Sequence, residues 1–345
     1  MPVEKAKRFT EKARNRLKSK EEKSKVAIYW TGSCGGCDST IIGIGEKLLE
    51  IADQVELVLW PIAVDKKYSD LEGLEEDEID LTLFNGALRQ DHHIEMADKL
   101  REKSKILVSY GACAHMGGIP GLADLSGTEE VMETKYSDVK TFESGERPRK
   151  EIEADSGKLT MPVLTEEVRP LSHQVEVDYI VPGCPPNRDE TADFLLDVLS
   201  GDLPDKGSII AGEKNLCWSC PRDRQSETIK TVDRVHERRP DPGKCILDQG
   251  ILCMGPVTRG GCGARCIKAN VPCRGCFGPA DSTVDVGSKY ASSLGPLIGP
   301  EDNDKIAEVV ENVKDFHGLT HYFSLPYSPL KQFIDVDARE GGFNE

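Results

Sequence analysis

Between Cys253 and Cys276 the chain reads CMGPVTRGGCGARCIKANVPCRGC. Five cysteines, with glycines and prolines set among them, leave no apolar periodicity for a core strand or helix, so the run must be folded by something it binds. Cys217 and Cys220, in the sequence C-W-S-C, and Cys245 bring the count to eight cysteines between 217 and 276. Four more, Cys34, Cys37, Cys113 and Cys184, are spread through the first half. Twelve thiols divide into three sets of four, and three tetrathiolate sites are the expectation.

A chain of 345 residues is long enough for a full core and for two domains. The sequence divides into three stretches of different composition: a basic, polar extension over 1–24, a regular region over 25–204, and a Cys-rich region with an acidic tail over 205–345. No apolar run approaches the length of a membrane span. The leader, KAKRFTEKARNRLKSKEEK, has no apolar core behind it and no adjacent arginines, so it is neither a secretory nor a twin-arginine signal. It reads as a frayed polar helix, with a docking arm as the alternative. A cytoplasmic location is therefore expected, where cysteines stay reduced and C-x-x-C pairs mean metal or catalysis rather than disulfides. The net charge of −16 argues against a nucleic-acid partner.

Strands are expected at Val26–Trp30, Val55–Pro61, Ile106–Tyr110 and Val175–Val181, and helices at Ser39–Ala52, Gln90–Lys103 and Thr191–Leu199. Asp38 or Ser39 is the expected cap of the first helix. Glu72–Asp80 reads as a solvated acidic face, and about 125–170 as a polar insertion that packs on a partner. Strands alternating with helices predict an α/β fold: a flavodoxin-like parallel sheet with helices on both faces, followed by a small, irregular Cys-rich iron–sulfur domain. Ile306–Phe316 is one further helical stretch.

On this reading Cys34, Cys37, Cys113 and Cys184 each stand just past the carboxyl end of a strand. In an open α/β sheet those ends converge on the ligand crevice. The Gly-rich first turn carries thiols where a flavodoxin-like protein would cradle phosphate, so a cluster takes the place of the nucleotide. Zinc and iron–sulfur clusters are both held by four thiolates. A structural zinc site is local and folds a small module, whereas the first quartet joins distant loops of a domain with its own core. Iron–sulfur is the favoured reading. For the C-terminal eight taken alone, zinc is a rival, and their division between two sites stays open.

The segments WTGSCGGC, GACAHMGGIPG and VPGCPP resemble the small subunit of [NiFe] hydrogenases. GPVTRGGCGARC through PCRGCFGP is similar to the cytoplasmic branch, in particular to the gamma chain of methyl-viologen-reducing, deazaflavin-non-reducing hydrogenases of methanogens and related anaerobes. The likeness covers roughly 25–330 with the motifs in order. It implies that Cys34, Cys37, Cys113 and Cys184 hold a proximal cluster facing a nickel–iron centre in a separate large subunit. By the same resemblance Cys217, Cys220, Cys245 and Cys253 hold a distal cluster, and Cys262, Cys266, Cys273 and Cys276 a medial one. Respiratory members begin the distal motif with His and often lack a fourth medial thiol, whereas this chain has Cys217 and Cys266. Three low-potential [4Fe–4S] clusters are therefore expected.

The implied activity is electron relay from hydrogen oxidation to an iron–sulfur acceptor subunit, with a heterodisulfide reductase-type complex as the expected destination. This chain has no nickel site and no catalytic residue of its own. A small subunit of a sulfur-reducing or NAD(P)-linked hydrogenase shares the same cluster set, a complex I-type subunit shares only the first quartet, and a zinc-stapled scaffold is the non-redox alternative. Asp38 is a candidate for proton transfer or for positioning the large subunit, as well as for capping. His115 is a candidate hydrogen-bond donor to cluster sulfur, with loop packing as the plainer account. His92 and His93 read as solvated surface, His236 as an unneeded ligand, and Trp218 as a shield over the cluster. Arg259 faces either cluster charge or a partner.

Overall fold

The computed structural model describes residues 22–332, apart from 138, 141–146, 156, 226–227 and 300–302. Expectations for the basic leader and the acidic tail lie outside the described residues. The chain divides into two compact units, Met1–Ile210 and Ala211–Glu345. No helix among the described residues is long and apolar enough to cross a membrane.

The first unit is built on five parallel strands: β1 (Ser24–Trp30), β2 (Val55–Leu59), β3 (Leu81–Asn85), β4 (Leu107–Tyr110) and β5 (Tyr179–Val181). Their spatial order is β2-β1-β3-β4-β5, all neighbours pairing in parallel. This is the flavodoxin-like order, whose switch point lies between β1 and β3. Alternation along β1 sends Val26 and Ile28 to one face and Ala27 and Tyr29 to the other. Helix α1 (Gly36–Ile42) supplies Ile41 to the first face and α2 (Glu46–Ala52) supplies Ile51. Helix α3 (Asp91–Lys103) covers the second face with Met96, Ala97 and Leu100.

Several expectations change. The single helix over Ser39–Ala52 is two helices, because Gly43 ends α1 and Gly45, at φ +75°, precedes α2. Asp38 is no cap: α1 starts at Gly36 behind Gly35, which is left-handed, and no side chain caps it. The last strand is only Tyr179–Val181, because residues 175–178 run as bend and irregular backbone. Strand β3 lies where the sequence suggested no element. All five of its residues are buried, and it occupies the centre of the sheet. His92 and His93 are packed rather than solvated. His92 stands edge-on to Tyr68, while burial, then the neighbouring His92, drops His93 to about 4. Part of the polar insertion is ordered as a helix (Gly127–Tyr136) and as a hairpin pairing Glu151–Ala154 with Gly157–Thr160.

Helix α4 (Ala112–Met116) follows β4, and α5 (Arg188–Ser200) follows β5 and packs Phe194, Leu195, Leu196 and Leu199 onto the first face. On α5, burial, then Asp193 and Asp202, push the Asp197 carboxyl up to about 7. Its buried Oδ1 has no hydrogen-bond partner among the described residues. The folded value exceeds the unfolded one of about 3.9, so the native chain binds the extra proton across that window. Stability is full below about pH 3.9 and falls as pH rises toward 7. Asp197→Asn is therefore expected to raise the Tm at pH 8, by a gain bounded near 4 kcal/mol and reduced by solvent screening. Thermal unfolding at pH 8 and pH 5 checks this, and an equal gain at both would exclude carboxylate ionisation as the cause.

The second unit has little regular structure. A compact apolar cluster including Leu216, Ile246, Ile251, Met254, Val257 and Tyr290 takes in Cys253 and Cys273 as members. Helix α6 (Val286–Leu294) is capped by Asp285, which accepts from Ser288 N–H at 2.6 Å and from the Ser328 hydroxyl at 2.6 Å. The expected helix over Ile306–Phe316 ends at Glu311, and Phe316 begins another. Two arginines do the work that sheet ladders do elsewhere. Arg222 donates to the carbonyls of Asp241 (2.8 Å), Lys244 (3.0 Å) and Ile267 (3.1 Å). Arg259, 6% exposed, donates to those of Pro279 (3.1 Å) and Gly212 (3.2 Å) and pairs with Asp281. Arg259 thus holds loops of the second unit together.

Candidate functional site

Each of the first four thiols sits a few residues beyond a strand of the parallel sheet: Cys34 and Cys37 after β1, Cys113 after β4, Cys184 after β5. The structure brings them together. Burial raises the Cys37 thiol, and the charges of Cys113, Cys184 and Cys34 then raise it further. Burial, then Cys184 and Cys34, push Cys113 up to about 12. Burial and Cys34 raise Cys184. Cys37 and Cys113 are buried, whereas Cys34 and Cys184 are exposed, so the quartet opens at the surface on one side.

Glycines make the room. A Cβ on Gly111, at φ +92°, would lie 2.5 Å from Cys37 Sγ, and one on Gly118, at φ +58°, would lie 2.5 Å from Cys113 Sγ. Both are conformations that only glycine adopts freely. Behind the quartet, Asp38 is 1% exposed. One of its carboxylate oxygens accepts from Trp60 Nε1 at 2.8 Å and the other from Asn85 Nδ2 at 3.1 Å. Asn85 ends β3 and Trp60 follows β2, so Asp38 fastens the first turn of α1, which carries Cys37, to two strands. His115 is buried on α4, two residues beyond Cys113.

In the second unit Cys217, Cys220, Cys245 and Cys253 line one cavity with Leu216 and Ile267. A Cβ on Gly255 would stand 3.3 Å from Cys217 Sγ and 3.7 Å from Cys253 Sγ. Burial, then Cys253, Cys245 and Cys220, push Cys217 up to about 12. Burial pushes Cys253 up to about 11 against the hydrogen bonds of Gly255 and Cys273 N–H. Burial raises Cys245 and Cys273 too, again opposed by nearby hydrogen bonds: Asp248 and Leu247 N–H donate to Cys245 and Gly275 N–H to Cys273, whose thiol donates to Thr258 Oγ1 at 3.5 Å. Backbone donors aimed at buried sulfurs suit thiolates, and thiolates in so apolar a setting require a cation to offset them.

Cys273 lies close enough to Cys276 and Cys253 for their charges to act on it. Its N–H donates to Cys253 Sγ at 3.3 Å, so Cys253 and Cys273 lie side by side. Cys262 is half-buried against the same core, and Cys266 stands exposed on the turn Arg265–Lys268. Trp218 does not cover the thiols: its 3-10 turn points it outward, 73% exposed, with Lys214 Nζ 4.3 Å from the ring centroid. His236 is exposed on the rim of a cavity of about 330 Å³ shared with Arg234, Arg274 and Lys314.

Among the described residues, no three His, Cys, Asp or Glu side chains converge on a single-ion position. A tetrahedral zinc ion at about 2.3 Å would hold its sulfurs about 3.8 Å apart. A polynuclear cluster spreads its thiolates further, because each binds a different iron. Thiols that group without closing on one point, beside glycines whose Cβ would intrude on the sulfur, fit iron–sulfur clusters better than zinc. Sequence reasoning missed Trp60 and Asn85 as the partners of Asp38. The only signal for Asn85 was its place ending a strand, and that strand itself was not expected.

The family described as the NADH ubiquinone oxidoreductase 20 kDa subunit matches residues 34–198. The iron–sulfur subunit of the F420-non-reducing hydrogenase of Archaeoglobus profundus is 37% identical over 310 residues, covering 88% of this chain and 96% of that protein. Its counterpart in the F420-non-reducing vhu hydrogenase of Methanocaldococcus jannaschii is 37% identical over 302 residues, covering 88% and 95%. Among solved structures, a chain of the [NiFeSe]-hydrogenase of Dm. baculatum superposes with a TM-score of 0.50 at 18% identity, covering 81% of this chain and 100% of that one, a likeness of fold. With relatives this similar over nearly their whole length, the chain belongs to the family of F420-non-reducing hydrogenase iron–sulfur subunits, the electron-transferring small subunits of [NiFe] hydrogenases.

Proposed function

We propose that this chain relays electrons from hydrogen oxidation at a nickel–iron centre in a separate large subunit, through three [4Fe–4S] clusters, to a low-potential acceptor such as a heterodisulfide reductase-type complex. The observation that carries the reading is the convergence of Cys34, Cys37, Cys113 and Cys184 beyond three parallel strands, in space kept open by Gly111 and Gly118. When bound, each cluster takes up and gives back one electron at a time.

The chain's own residues hold, insulate and orient. Cys34, Cys37, Cys113 and Cys184 hold the proximal cluster; Cys217, Cys220, Cys245 and Cys253 the distal one; Cys262, Cys266, Cys273 and Cys276 the medial one. Asp38, with both oxygens occupied by donors, acts as a tether for the start of α1 and not as a proton carrier. Trp30, which ends β1 beside Gly35, and Ile119, whose N–H reaches Cys113, are 40% and 43% exposed and give the open side of the first quartet apolar surface suited to the large subunit. The hairpin's Ile152 and Leu159 face each other across the strands, both about half exposed, as a second apolar contact for a partner. Residues 211–280 carry twelve Lys or Arg against seven Asp or Glu in a chain of net charge −16, a local balance that offsets anionic tetrathiolate clusters.

The test is iron, acid-labile sulfide, zinc and nickel on the anaerobically purified native complex, with its subunits identified. Roughly twelve irons and twelve sulfides per copy of this chain, beyond those of partner clusters, are expected for three four-iron sites. Nickel is expected with the large chain, and the remaining subunit identifies the acceptor. Zinc with little sulfide would overturn the relay.

A further inference from the structure

Tyr290, on α6, is among the largest side chains of the second unit with no exposure at all. It packs in the apolar cluster that contains Cys253 and Cys273. Its hydroxyl has no hydrogen-bond partner among the described residues. The Cys253 N–H approaches it without reaching hydrogen-bond geometry, and the nearby charges are those of Cys253, Arg274 and Cys273. A buried hydroxyl left unsatisfied costs about 1–3 kcal/mol, and such groups call for an explanation. Phenylalanine would fill the same space without that cost. The neighbours of the hydroxyl are ligand residues of two quartets, joined here by the Cys273 N–H bond to Cys253 Sγ at 3.3 Å. What the polypeptide does not supply is the acceptor.

We infer that Tyr290 is a positioning residue whose hydroxyl donates a hydrogen bond to a sulfide of the cluster bound at the Cys253–Cys273 seam and sets the reduction potential of the cluster that Cys253 holds. The inference rests on the proposed function. Reduction adds one electron and makes the sulfur a better acceptor; the proton stays on the tyrosine oxygen, so no proton transfer accompanies the step. A donor of this kind favours the reduced state, as the backbone donors to Cys253 Sγ do. Placed where the two quartets meet, it biases which of them holds the electron.

The test is Tyr290→Phe in the intact complex, with iron and sulfide measured beside an EPR-monitored redox titration. Full iron and sulfide are expected, with the reduction equilibrium of one C-terminal cluster shifted about tenfold toward the oxidised state, or about 59 mV for one electron. Placing 3-fluorotyrosine at 290 acidifies the phenol at nearly unchanged size and is expected to shift the same cluster the other way. That variant gives the answer even if the phenylalanine protein fails to assemble. Iron and sulfide in the unaltered complex report on the relay itself. Full iron with an unmoved midpoint at 290 overturns the role of Tyr290 and leaves the relay standing.

Discussion

Gly118→Ala is expected to remove about four irons of roughly twelve and to abolish hydrogen-dependent electron transfer, while the C-terminal clusters keep their EPR signals. Gly118 lies at φ +58° and ψ −158°, a region almost closed to residues with a Cβ, where strain costs about 1–3 kcal/mol. The added carbon would also stand 2.5 Å from Cys113 Sγ and 2.8 Å from Cys113 Cα. The backbone atom cannot swing away as the end of a flexible side chain would. Either the thiol leaves the quartet or the loop 117–121, held by the Gly121 N–H bond to Gly117 O at 3.2 Å, is displaced. Gly127→Ala is the control, because Gly127 also has positive φ, +79°, but nothing lies within 4 Å of its Cβ position. It should lose stability and no iron. If Gly118→Ala retains full iron, the glycine cradle is not what shapes the first site.

Much of this was legible in the sequence, for identifiable reasons. Apolar runs such as Val26–Trp30 and Leu107–Tyr110 end in Gly-containing turns, and that punctuation places Cys34, Cys37 and Cys113 at strand ends without knowledge of pairing. Strand β3 was not legible. A central parallel strand is buried on both faces, so LTLFN shows no alternation, and Thr82 is accommodated through the Ser104 hydroxyl at 2.6 Å. With β3 missing, Asn85 could not be placed and Asp38 looked like a cap. The outward turn of Trp218 and the enclosure of Tyr290 depend on irregular backbone that no periodicity encodes. Arg222 and Arg259 bond carbonyls far away in sequence, and nothing in an arginine's neighbours announces that.

Asp178→Ala is expected to destabilise the first unit by about 3–5 kcal/mol, enough to lower its Tm by about 10 °C. Asp178 immediately precedes β5, and its side chain is 2% exposed. Its Oδ2 accepts from Arg101 Nη1 at 2.7 Å and from Leu107 N–H at 2.8 Å, and its Oδ1 meets Lys206 Nζ at 2.6 Å. One carboxylate thus joins the end of α3, the start of β4 and the turn that follows α5. Burial alone would raise its pKa, but the Arg101, Lys206 and Leu107 hydrogen bonds outweigh it and hold the value low. Because the folded value lies below the unfolded one of about 3.9, the stabilisation is fully present above that pH and is lost only as pH falls through the folded value. At neutral pH the alanine variant therefore forfeits all of it, leaves the Leu107 N–H without its acceptor and leaves Arg101 with only the Glu176 and Ser104 carbonyls. Asp178→Asn keeps the shape and one acceptor but sets an amide against Lys206, so an intermediate loss is expected. The consequence reaches the thiols, because β4 and β5 carry Cys113 and Cys184 at their ends. Iron should be lost on warming at the same lowered temperature as the secondary structure, followed by circular dichroism and visible absorbance together. If absorbance fades well before the helical signal in the variant as in the parent, Asp178 holds the sheet without governing the site.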